Sequence, residues 1–145
     1  MTPKFSYILI ALLAIGGGGY IYWDNTKPVP APQAADSTAA PPMVDVKVPT
    51  LTGAAIIGET IFNAKCAACH GANAAGQDGV APPLVHRIYE PGHHGDGAFL
   101  LAAQSGVRAH HWQFGNMPPV EGVTQGDVKN IIAYVRALQK ENGIF

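Results

Sequence analysis

Cys66 and Cys69 stand three positions apart with His70 directly behind them, and the 145-residue chain holds no other cysteine. At most one disulfide is available, so a multi-bridge scaffold is excluded and the triplet must be explained by its chemistry. A redox-active thiol pair sits after a strand in a βαβ unit, and half of a zinc site needs a second ligand pair elsewhere. Neither context is present: no convincing alternating strand pattern and no further cysteine pair are found. The remaining chemistry needs an exported chain, which the amino terminus addresses.

From Phe5 to Trp23 run 19 residues without a charge. As a helix rising ~1.5 Å per residue this segment measures ~28 Å, close to the thickness of a bilayer core. Lys4 precedes it and Asp24 follows, so the positive-inside bias puts the terminus in the cytoplasm and residue 24 onward across the membrane. The rival is a cleaved secretory signal with Phe5–Ile15 as its apolar region. Tyr20, Tyr22 and Trp23 stand where a cleavage region should be small, which favours an uncleaved transmembrane anchor over residues 1–23, in contact with the lipid bilayer. Both readings export the rest of the chain.

Residues 24–53 carry Pro28, Pro30, Pro32, Pro41, Pro42 and Pro49 among Ala, Thr and Ser, a composition that reads as a flexible linker. Such a stretch averages roughly 30 Å end to end as a coil and reaches ~90 Å when extended. Residues 54–145 remain for one all-α domain. Its clearest helix starts at a capping-box pair, Thr124 and Asp127, repeats Val128, Ile131, Ile132, Val135 and Leu138 at helical spacing, and ends near Asn142 before Gly143. A second runs from about Ala54 to Cys66, with Ile57, Ile61 and Phe62 expected on its buried face. A third spans Asp96 to Ser105, stopped by Gly106, and Gly71–Pro83 reads as loop.

On an exported chain, Cys66-Ala67-Ala68-Cys69-His70 is the signature of covalent c-type haem attachment: two thiols take the porphyrin vinyl groups and the adjacent imidazole reaches the iron. The domain around it resembles a class I cytochrome c, of the mono-haem, membrane-anchored bacterial type, over essentially all of residues 54–145. Gly58 and Phe62 precede Cys66 at intervals of four, and Ile131-Ile132-Ala133-Tyr134-Val135-Arg136 resembles the partner stretch of the carboxy-terminal helix. The resemblance implies a fold built around one covalent haem c, with the terminal helices crossing at Gly58 and with Phe62, Ile131 and Tyr134 packed there. It also implies that Pro82, in Ala81-Pro82-Pro83-Leu84, gives its carbonyl to the other nitrogen of His70. Met117, in Gly115-Asn116-Met117-Pro118-Pro119, matches the distal loop and is the expected sixth iron ligand opposite His70.

The other five histidines leave bis-histidine ligation as the rival. His93 and His94 read as solvated residues of an inserted loop, with a surface metal site as the alternative. His110 and His111 are expected either to line the haem edge, making the potential pH-sensitive near neutrality, or to pack on the surface, and His86 carries no assignment. Arg87, Arg108 and Trp112 are candidate partners for haem carboxylates.

Nine Lys and Arg against ten Asp and Glu give a net charge of −1, which excludes a nucleic-acid partner. From residue 54 onward, Lys65, Arg87, Arg108, Lys129, Arg136 and Lys140 face seven acidic residues. The strongly basic docking face of the mitochondrial relative is therefore missing. Taken together, the expectation is a non-enzymatic single-electron carrier with a His/Met-ligated haem c. It works at the periplasmic face of a bacterial inner membrane, between a quinol-oxidising complex and a terminal oxidase. A fixed subunit of one oxidase or dehydrogenase complex is the first alternative, and a ligand-binding enzyme or sensor with an open iron site is the second.

Overall fold

In a computed structural model of the protein, the structure describes residues 40–145. The apolar segment 1–23 and linker residues 24–39 lie outside the described residues. No helix among the described residues is long and apolar enough to cross a membrane.

Four α-helices carry the described chain: α1 (Ala54–Lys65), α2 (Ala67–His70), α3 (Asp96–Ser105) and α4 (Gln125–Glu141), with 3-10 turns at Ala72–Ala74 and Arg87–Tyr89. Among the described residues β-structure is limited to two isolated antiparallel bridges, Gln77 with Ala81 and Val107 with Met117. The all-α expectation and the three anticipated helices hold to within a residue. The single-turn α2 and the turn at Arg87–Tyr89 are too short for periodicity to reveal.

Helix α4 forms because Thr124 and Asp127 close a reciprocal cap. The Asp127 amide donates to Thr124 Oγ1 at 3.1 Å, and the Thr124 amide donates to Asp127 Oδ2 at 2.9 Å. Its apolar stripe of Val128, Ile131, Ile132, Val135 and Leu138 is fully buried, as an amphipathic helix on a small core requires. Helix α1 packs across it, and Gly58 sets the distance. A Cβ built on Gly58 would stand 1.9 Å from the Asn130 carbonyl oxygen, so no side chain fits between the two backbones. Phe62 and Tyr134 meet beside this point with ring centroids 5.5 Å apart, inside a core that also holds Ala74, Leu84, Val85 and Ile131.

One expectation about α1 is corrected. Its buried side is Ala55, Gly58 and Phe62, and Ile57 is 53% exposed. Contact through a glycine centres the buried stripe on Gly58 and turns the neighbouring Ile57 to solvent. A second difference concerns the stretch read as linker. The Met43 and Val44 amides donate to the Ala75 carbonyl, Lys47 exchanges hydrogen bonds with the Asn142 side chain, and Val46 and Leu51 pack on the core. The packed unit therefore reaches back beyond Ala54.

Candidate haem site

Cys66, Cys69 and His70 fall at i, i+3 and i+4, and one turn of helix brings them to one side. The turn is real: the Cys69 and His70 amides both donate to the Cys66 carbonyl, at 3.1 and 2.9 Å. Gly71 ends it with φ 73°, where a Cβ would stand 2.6 Å from the Gly76 carbonyl oxygen. The last carbonyls of such a turn need donors. A buried side chain that sequence reasoning missed supplies them: Gln77 Nε2 lies 3.2, 2.8 and 3.2 Å from the carbonyls of Ala67, Ala68 and Cys69. A lone glutamine carries no pattern signal in the sequence.

His70 is only 9% exposed, and its Nδ1 stands 2.9 Å from the Pro82 carbonyl oxygen. With Nδ1–H donating there, the neutral ring keeps its Nε2 lone pair for a metal and holds a fixed orientation. Burial pulls the His70 pKa below its ordinary value, and the Pro82 hydrogen bond opposes that. Burial, together with Cys69, pushes the Cys66 thiol up to about 11.

Met117 is half-buried on the other limb of the site. Its amide and carbonyl pair with Val107 at 2.9 Å each, and Ala103 accepts from the Val120 amide at 2.9 Å, tying the loop to the end of α3. Gly106 permits the approach, since a Cβ there would stand 2.5 Å from the Met117 carbonyl oxygen.

Cys66, Cys69, His70, Pro82 and Met117 all line one cavity of about 550 Å³, a size usual for a bound organic group. Its wall is largely apolar, with Phe62, Leu84, Val107, Val128 and Ile131 on it. Helix α3 has no fully buried residue: Phe99 packs half-buried against the core and, with the 61% exposed Leu101, lines this cavity. Arg108, Trp112, His94, His110 and His111 also line it, whereas Arg87, His86 and His93 do not. Arg87 is thus removed from the carboxylate partners. His86 caps the turn at Arg87–Tyr89, where its Nδ1 accepts from the Ile88 amide, and sets its ring edge-on to Trp112 at 5.2 Å.

One buried donor on the cavity wall is open to an acceptor on a bound group. Trp112 Nε1 is buried, and no acceptor among the described residues meets it in hydrogen-bond geometry. The Tyr89 hydroxyl, pushed up by burial, is near enough that the indole partly offsets that rise. A buried donor without a partner costs about 1–3 kcal/mol, and a haem carboxylate would satisfy it. Two thiols, an anchored imidazole, a thioether, an apolar wall and an orphan indole N–H together suit haem c.

On the cavity wall His94, His110 and His111 come together with neighbouring His93, although the sequence separates the two pairs. His111 sits below its ordinary pKa through lost hydration and the charges of His110, His94 and His93. Arg136, read from the sequence only as part of α4, holds the segment that carries His94: its guanidinium donates to the carbonyls of Tyr89 at 2.6 Å and His94 at 2.7 Å. Gln139 is buried and donates to the carbonyls of Leu84 and Tyr89.

The family model described as Cytochrome c matches residues 55–139. No curated protein matches this chain.

Proposed function

Since the chain belongs to the cytochrome c family and holds covalent haem c, we propose that it shuttles single electrons between membrane respiratory complexes. The donor is a quinol-oxidising complex and the acceptor a terminal oxidase, and the chain acts as a carrier rather than an enzyme. His70 and Met117 would hold the haem iron in this reading. The observation that carries it is that Cys66, Cys69, His70 and Met117 line one largely apolar cavity, each on a backbone fixed by hydrogen bonds of its own.

Bound haem supplies a one-electron couple. What the chain contributes is rigidity and tuning. The Pro82 carbonyl holds the His70 ring in one orientation, and the Val107 bridge holds Met117, so neither ligand needs to move between redox states. A soft thioether and an apolar wall both disfavour extra positive charge, which raises the potential.

The apolar segment 1–23 is read as an uncleaved anchor in the inner membrane, with residues 24 to about 40 as tether and the domain on the periplasmic side. Near-balanced charge supports docking by tethered proximity in place of long-range steering.

The test is an absorption spectrum of the full-length holoprotein, ferric and ferrous, with and without carbon monoxide. A near-red methionine–iron charge-transfer band without carbon monoxide binding is expected. A missing band with ready carbon monoxide binding would replace the carrier by a ligand-binding protein.

A further inference from the structure

The histidine cluster at the cavity wall has the makings of a second metal site. His93 and His94 stand in a turn where both their amides donate to the Glu90 carbonyl, at 3.0 and 2.9 Å. His111 arrives from the distal loop, 18 positions later. One ring nitrogen from each of His93, His94 and His111 falls within 4.8 Å of the others.

Three details separate this cluster from a chance meeting of polar side chains. First, His93 Nε2 and His111 Nε2 lie 3.2 Å apart. They are hydrogen-bonded to each other in the metal-free protein, and the same spacing accommodates an ion, since two nitrogens each ~2.0–2.1 Å from one tetrahedral ion stand about 3.3 Å apart. Second, His94 Nδ1 is 2.6 Å from the Ile88 carbonyl oxygen. With Nδ1–H donating, Nε2 carries the free lone pair, the arrangement in which backbone carbonyls hold metal-ligating histidines. Neighbouring His110 is set the same way, with Nδ1 at 2.9 Å from the Arg108 carbonyl. Third, contacts outside the cluster hold both limbs. Arg136 Nη2 donates to the His94 carbonyl at 2.7 Å, and Asn116 Oδ1 accepts from the Ala109 amide at 2.9 Å. Packing imidazoles together is unfavourable when they are protonated, and a cation that takes their lone pairs turns that repulsion into binding.

We propose that His93, His94 and His111 bind one divalent late-transition-metal ion, copper(II) or zinc(II), beside the haem cavity. Imidazole-only donor sets suit these ions and not magnesium or calcium, which require oxygen ligands. Three protein nitrogens leave a fourth position for water, or for His110, whose ring centroid is 4.3 Å from that of His111. This site is distinct from the haem iron, because its members are neither Cys66, Cys69 and His70 nor Met117.

The experiment titrates the untagged, full-length holoprotein at pH 7 with zinc sulfate and, separately, with copper sulfate. Bound metal is counted after equilibrium dialysis, and the copper form is examined by electron paramagnetic resonance. One ion per chain is expected, with nitrogen hyperfine structure from imidazole in the copper form and an affinity loss of at least a hundredfold in H93A/H111A. The single variant H94A is expected to lose affinity as well. Parent-like helicity by circular dichroism and parent-like urea midpoints in both variants establish that each remains folded. Failure to bind either ion stoichiometrically overturns the proposal, as does binding that survives in the folded double variant. Comparing the two ions tells which one the site prefers.

Discussion

The Arg136 guanidinium reaches the His94 carbonyl oxygen at 2.7 Å, so the last helix of the fold directly positions the turn that carries the paired histidines. The same side chain also donates to the Tyr89 carbonyl and to Gln139 Oε1, both at 2.6 Å, and lies 5.0 Å over the Phe99 ring. Its pair with Asp96 at 2.9 Å is mostly solvated on the carboxylate side and adds little. The guanidinium thus serves chiefly as a fork that satisfies backbone carbonyls.

Replacing Arg136 with Leu takes the guanidinium donor from the His94 carbonyl and leaves the Tyr89 carbonyl with Gln139 alone. Unsatisfied buried groups cost about 1–3 kcal/mol each and hydrogen bonds to charged groups contribute about 1.5–3, so a loss of roughly 2–4 kcal/mol is expected. Urea denaturation of the holoprotein measures it through the midpoint. Arg136→Lys should recover only part of the loss, because a single ammonium cannot reproduce the fork. Full recovery by lysine would mean that charge alone matters there.

Gly58→Ala sets two effects against each other. Alanine favours a helix by about 1 kcal/mol over glycine, but its Cβ would stand 1.9 Å from the Asn130 carbonyl oxygen. Backbone on both sides of the contact leaves no flexible atom to yield, so α1 and α4 must separate and uncover Phe62 and Tyr134. A net destabilisation of roughly 3 kcal/mol or more is expected, in line with strong overpacking. Thermal melting of the variant reads the sign: a higher midpoint would show that propensity outweighs the crossing.

What the sequence disclosed and what it hid divide along physical lines. Cys66, Cys69, His70, Pro82 and Met117 lie in short local motifs, and the Thr124 and Asp127 cap is local too, so each was legible; the five line one cavity and the cap starts α4. Gln77, Arg136 and Gln139 were not legible. They act by donating to backbone carbonyls outside their own element, 8 to 10 positions away for Gln77 and 42 to 55 for Arg136 and Gln139, and no pattern of residue types marks such a side chain. The histidines show the same limit: each pair was visible, but only the folded loops bring His93 and His111 to 3.2 Å. Ile57 failed in the opposite way, because apolar spacing named a face that the close approach at Gly58 shifted by one residue.

Asp127 links the fold to pH. Its hydrogen bonds with Thr124 hold its pKa below the ordinary 3.8. A carboxylate depressed in the folded state adds stability that is fully present above the unfolded pKa and is lost as pH falls through the folded one. Asp127→Asn should therefore be less stable than the parent by an amount constant above about pH 5, and the gap should narrow below pH 3.8. Helicity followed by circular dichroism in urea at several pH values measures this. A gap independent of pH down to strong acid would remove Asp127 from the acid response.

Met117 offers the sharpest test of the ligand assignment. Leucine has nearly the same volume and apolarity, and the Val107 bridge uses only the Met117 backbone, so Met117→Leu should fold and keep covalent haem through Cys66 and Cys69. What it removes is the thioether. The midpoint potential should fall, the near-red charge-transfer band should vanish, and carbon monoxide should bind the ferrous protein. Histidine could still take the vacant position, given that His94, His110 and His111 line the same cavity. That outcome is distinguishable: the potential would fall further while carbon monoxide stayed excluded, and adding H110A/H111A would restore its binding. If Met117→Leu leaves the potential and the band of the parent unchanged, Met117 is not the sixth ligand, and a histidine cannot be its replacement either, since the band belongs to sulfur.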